Sequence, residues 1–248
     1  MKRVIYLFIV LISLFSCMII SASADTEFAV SDLEKNDKEH VLETINLKFI
    51  QEAPARGAIE HFAISDDGQF AIGRKNGFSQ LEIAIYSDEG EFKCGYSMSC
   101  NGSFALDFSE NDCLNIYMVR SEILLSVDLN GAVISVASVD DTPQNSDYYN
   151  EISDFQKNVG GNLYAVKNDN PLLNLLGFSY SKLTKTDKNG TETVLYEADA
   201  TTESLQLVII ICIVIVVLAA LIGLLIFLIK FDKKNLAKSE DDNPDYQR

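Results

Sequence analysis

The chain has no tryptophan, only two histidines and only four prolines among its 248 residues. So few histidines leave little room for nucleophilic catalysis. His40 lies in a charged stretch and His61 beside an apolar one. A Ser/His/Asp or Cys/His set would have to be built on His61, and no GxSxG-type signature accompanies it. Basic side chains are also in short supply, with 20 Lys and Arg against 36 Asp and Glu, a formal charge of −16. An acidic surface of that size repels phosphate backbones, so nucleic acid is not an expected partner. Of five cysteines, Cys17 and Cys212 fall inside the two apolar runs. Cys94, Cys100 and Cys113 remain, and three thiols form at most one internal bridge. Cys94 and Cys100, close together in CGYSMSC, are the candidate disulfide. Cys113 reads as a small buried hydrophobe. Neither CxxC spacing nor a histidine-rich neighbourhood is present, so no metal and no cofactor is expected.

The two apolar runs define the ends. Residues 1–24 have Lys2 and Arg3, then an uncharged run from Val4 to Ile20, then Ala22-Ser23-Ala24. That is the layout of a secretory signal peptide cleaved after Ala24; a lipoprotein box ending at Cys17 is the rival reading. Residues 207–229, LVIIICIVIVVLAALIGLLIFLI, carry no charge. A helix of that length reaches about 34 Å, against a hydrocarbon core of about 30 Å. Lys230, Lys233 and Lys234 follow it and mark a cytoplasmic boundary. The expectation is a single-pass protein of the cell membrane, embedded in the lipid bilayer through residues 207–229. Its N-terminal domain would lie outside and its 230–248 tail in the cytoplasm. The segment between signal and span holds 31 acidic and 13 basic side chains, a net of −18.

Within that segment, residues 25–44 form a charged leader, 45–197 a strand-rich domain and 198–206 a polar stalk. Three stretches, IYSDEGEF, LSVDLNGAV and LTKTDKNGTETV, place an acidic residue and a glycine after alternating apolar positions. Calcium loops need more carboxylates at alternate positions, and phosphate cradles lead into helices. Tight hairpin turns need positive φ and a side chain that caps backbone amides, which Gly, Asn and Asp supply. The motif therefore reads as a turn. FAISDDGQFAIG, DFSENDCLNIY and VGGNLYAV lay over one another in the same way, giving about three units of strand, turn, strand, loop, strand, turn, strand. The last unit is stretched by insertions near 140–151 and 168–177.

Units of this kind resemble the blades of NHL-like β-propellers over about residues 59–197, through Asp67-Gly68-Gln69-Phe70, Asp128-Leu129-Asn130-Gly131 and Asp187-Lys188-Asn189-Gly190. The resemblance implies an all-β domain of about three four-stranded blade-like units, joined here to one C-terminal transmembrane helix and an N-terminal signal peptide. Propellers close with four to eight blades, so three units imply assembly with further copies, completion by another chain, or folding as an irregular stack of sheets. The expected function is non-catalytic binding of a protein or other ligand outside the cell. Tyr148 and Tyr149, in the 140–151 insertion, are the candidate partner contacts. The alternatives are an exported hydrolase or lyase with a site in the loops, and an accessory subunit of a membrane complex. His61 and carboxylates gathered around one deep cleft would favour the enzyme. Asn101 and Asn189 head the sequons NGS and NGT.

Overall fold

Among the described residues, five turns of one design organise the chain. In each, the amide of the first residue donates to the carbonyl of the fifth, as in Asp128 to Ala132 (2.9 Å) and Asp187 to Thr191 (3.0 Å). The aspartate at the head of these two turns also receives two backbone amides, from Asn130 and Ala132 (2.9 and 2.7 Å) and from Asn189 and Thr191 (both 2.8 Å). The fourth position needs a left-handed backbone, and Gly131 adopts φ +95° there. The Ser109–Cys113 turn uses Asp112 instead, at φ 57°. Asp is among the few non-glycine residues that enter this region readily.

A computed structural model describes residues 28–77, 79–109, 111–176, 179–199 and 207–223. The chain divides into two units, Met1–Asp199 and Ala200–Arg248. The first is mostly β-sheet, in three antiparallel sheets. Strands β3 (His61–Ile64), β4 (Phe70–Lys75), β5 (Gln80–Tyr86) and β6 (Phe92–Ser99) pair in chain order. A fifth strand, β2 (Lys48–Ile50), is added beside β6. The second sheet joins β7 (Phe104–Phe108), β8 (Leu114–Met118), β9 (Ile123–Val127) and β10 (Val133–Val139). Its fifth strand, β1 (Val30–Asp32), comes from the start of the described chain and pairs with β10. The third sheet runs β11 (Gln156–Val159), β12 (Asn162–Lys167), β13 (Lys182–Thr186) and β14 (Glu192–Glu197).

The charged stretch 25–44 contributes strand β1 and most of helix α1 (Lys35–Ile45), whose Lys35, Asp37, Glu39 and Glu43 are exposed, while Ile45 is buried in the core between the first two sheets. Two of the three sheets therefore have five strands, not four. Among the described residues the three sheets show no closure into a ring. Beside their shared core, the first and third sheets are joined by one bridge among the described residues, Ile59 with Tyr180 (2.7 and 2.9 Å), and by the strap before it. From that strap Arg56 gives its carbonyl to the Asp199 amide (2.8 Å) and sets its guanidinium 5.3 Å from the Tyr196 ring centre. Gly57 accepts from the Tyr196 hydroxyl (2.8 Å).

The expected transmembrane helix is corrected as well. In the second unit the described helix covers 207–223, seventeen residues. Among the described residues no helix is long and apolar enough to cross a membrane. The signal sequence of residues 1–24, residues 224–229 and the boundary lysines Lys230, Lys233 and Lys234 lie outside the described residues.

The apolar side chains sort into three layers. Leu81, Ile83, Ile85 and Tyr96 of the first sheet meet Leu106, Ile116 and Leu125 of the second, all fully buried. The opposite face of the first sheet, with Phe62, Phe70 and Ile72, packs on Tyr164, Leu183 and Tyr196 of the third. The first and second sheets come especially close at Gly73 of β4, where a Cβ would stand 2.5 Å from the Phe104 ring. The 140–151 insertion forms helix α2 (Pro143–Ile152), capped by the Thr142 hydroxyl, which accepts from the Asn145 amide (3.2 Å). Helix α3 (Pro171–Leu176) occupies the other insertion.

Candidate functional site

The first strand of each meander contributes to one cleft. The end of β3, the end of β7, the start of the third sheet at β11 and the last turn of α2 enclose a volume of about 510 Å³. Asp66 reaches it from the β3–β4 turn, Asp107 from β7 and Asp112 from the β7–β8 turn. Glu151 and Asp154 come from the end of α2 and the residues after it. Against these five carboxylates stands one cation among the described residues of the lining, Lys157 of β11.

Two features fix the walls. The His61 ring, buried between β3 and β7, accepts the Leu106 amide at Nδ1 (3.1 Å), so Nε2 carries the hydrogen and donates to the Ser153 hydroxyl (3.3 Å). One imidazole thus ties three elements together: β3, β7 and the C-terminal end of α2. Burial, reinforced by the nearby Lys157 charge, pushes its pKa down to about 3. The imidazole is neutral at physiological pH, with both nitrogens occupied. On the other side Tyr148 of α2 donates its hydroxyl to Asp107 Oδ2 (2.5 Å).

The electrostatics follow from partial burial. Desolvation raises the pKa of Asp107, and the Tyr148 hydrogen bond and Lys157 oppose the rise. The same desolvation lowers Lys157 to about 8, against the pull of Asp107, Asp154 and Glu151. The Lys157 ammonium also lies 5.1 Å from the Phe62 ring centre, a cation–π contact. Behind Asp107, Asn115 and Ser126 continue a polar row across β8 and β9, the Ser126 hydroxyl donating to Asn115 Oδ1 (2.6 Å).

The residues singled out in the sequence fare differently. Tyr148 reaches the cleft but as a structural donor, half-buried and edge-on to Phe28 (4.7 Å). Tyr149 turns away, edge-on to Tyr117 (6.0 Å), and borders a separate recess of about 140 Å³. Both rings are half-buried. Cys94 and Cys100 are both free and buried. They are six positions apart along an extended strand, about 20 Å, whereas a disulfide holds its Cα atoms within about 7 Å. In the Asp66-Asp67 pair, Asp67 closes its own turn on Ser65 and Gln69, and only Asp66 faces the cleft. Sequence reasoning did not single out Asp107 or Lys157. Their one signal was a charged residue at an inward-facing strand position.

No family model matches the chain, and no curated protein is similar to it.

Proposed function

We propose that the chain is an exported, non-catalytic binding module that takes a cationic group of its ligand into the cleft between β3, β7, β11 and α2. The observation that carries this reading is the convergence of Asp66, Asp107, Asp112, Glu151 and Asp154 on one concave site. Asp107 comes from a strand, Asp66 and Asp112 from turns, and Glu151 and Asp154 from the end of α2, so a cation entering the cleft is met from several sides. The argument against acid–base catalysis is the state of His61, which is neutral and engaged at both nitrogens. The signal-like residues 1–24 support export.

The test is calorimetric titration of the full-length protein with putrescine and L-lysinamide, using succinate as the anionic control. Both amines are expected to bind and to weaken several-fold between low and physiological salt, as screened ion contacts do. The double variant D66N/D154N, altering two exposed side chains, is expected to weaken them at least fivefold. Binding of succinate in preference to either amine would overturn the reading.

A further inference from the structure

Lys157 is out of place in a site for cations alone. Its side chain is half-buried with the ammonium near the Phe62 ring, yet that ammonium makes no hydrogen bond or ion pair with any described residue. Asp107, Glu151 and Asp154 lie near enough to act on it electrostatically, but none stands within the 4.0 Å of an ion pair. The spacing leaves a gap between one positive group and three negative ones. A bare cation would fill the negative side and leave Lys157 with a second positive neighbour. An anion alone would satisfy Lys157 but face five carboxylates. A ligand bearing both charges a few ångströms apart suits both sides, and each of its ends exchanges water for a charged partner.

We propose that the cleft binds a small zwitterion of the α-amino-acid class, its carboxylate on Lys157 Nζ and its ammonium among Asp107, Glu151 and Asp154. The proposal rests on the reading of the cleft as a cation site and adds the anionic end. About 510 Å³ exceeds what the two charged groups occupy, so the amino-acid side chain has room toward Asp66 and Asp112. Lys157 is then the residue that distinguishes an amino acid from a simple amine.

The test compares three ligands of each type on the full-length protein by calorimetry. L-Leucine, L-glutamine and L-lysine are set against their amides, which keep the ammonium only, and their N-acetyl derivatives, which keep the carboxylate only. At least one amino acid is expected to bind tenfold or more tightly than both of its analogues. Lys157→Met is expected to abolish that preference while amide binding is unchanged or tighter, and Lys157→Arg to retain it. Should the methionine variant fail to fold, the arginine variant and the wild-type comparison of acid with amide still decide. Amides binding as tightly as the acids would overturn this inference and leave the cation reading intact. No binding by acids or amides would overturn both.

Discussion

Asp107 and Tyr148 are 41 residues apart in sequence, and their hydrogen bond sets the ionisation of one wall of the cleft. The Tyr148 hydroxyl stabilises the carboxylate form and so holds down a pKa that burial raises. Tyr148→Phe is therefore expected to raise the Asp107 pKa further, read by carboxyl NMR titration, and to cost about 1–2 kcal/mol in urea unfolding. His61 gives a second residue-level expectation. Its folded pKa of about 3 lies below the unfolded value of 6.5, so the unfolded state binds the extra proton. Stability should fall as pH drops from about 6.5 toward 3, by up to about 1.4 kcal/mol per unit. His61→Asn keeps an acceptor for the Leu106 amide and should flatten that part of the profile. Lys157, also lowered, works in the alkaline range: its contribution to stability should rise as pH climbs from about 8 to 10.5, and Lys157→Met should remove that rise. His61 and Tyr148 stood out in the sequence, whereas Asp107 and Lys157 were not legible as parts of a site. Asp107 and Lys157 are single charges in short strands, and only packing between distant sheets brings them to one cleft.

At the scale of elements the turns were the readable part. Asp and Gly at fixed offsets identify the hairpins at Asp128 and Asp187 because the chemistry is local: one carboxylate, two amides and one left-handed residue. The backbone amides hold both aspartates below the usual carboxylate range, Asp128 chiefly through Ala132 and Asp187 chiefly through Thr191. Their contribution is present above the unfolded pKa and lost as pH falls through the folded one. Asp128→Ala and Asp187→Ala should each lower the urea midpoint at pH 7 and lose most of that effect near pH 2. Helix α2 was missed although its start is written in the sequence, with Thr142 as cap and Pro143 in the first turn. The spacing of the turn motifs made it look like an insertion in a strand unit. Strand β1 was hard to read for a different reason. It is three residues long, too short for alternation to declare itself.

For the whole molecule, the cysteines and the strap make the sharpest expectations. Cys94 and Cys100 should give no mass difference between reduced and untreated protein, and should react with a thiol reagent only after unfolding. Arg56 sits between the Tyr86 and Tyr196 rings, 5.8 and 5.3 Å from their centres, and joins the first sheet to the third. Arg56→Ala should speed hydrogen exchange in β13 and β14 more than in β8 and β9. Uniform exchange across all three sheets would show that the strap carries no such role. The general β-rich character followed from alternation and turn chemistry. The five-stranded sheets did not, because their outer strands are supplied by residues far away in sequence.

That supply has a temporal side. Val30 pairs with Val139, so the opening residues of the second sheet find their partner only after more than a hundred further residues exist. A ribosome working from the amino end must release this beginning as a loose edge, and the sheet can be completed only late in synthesis or after it. Until then β1 has no strand to pair with.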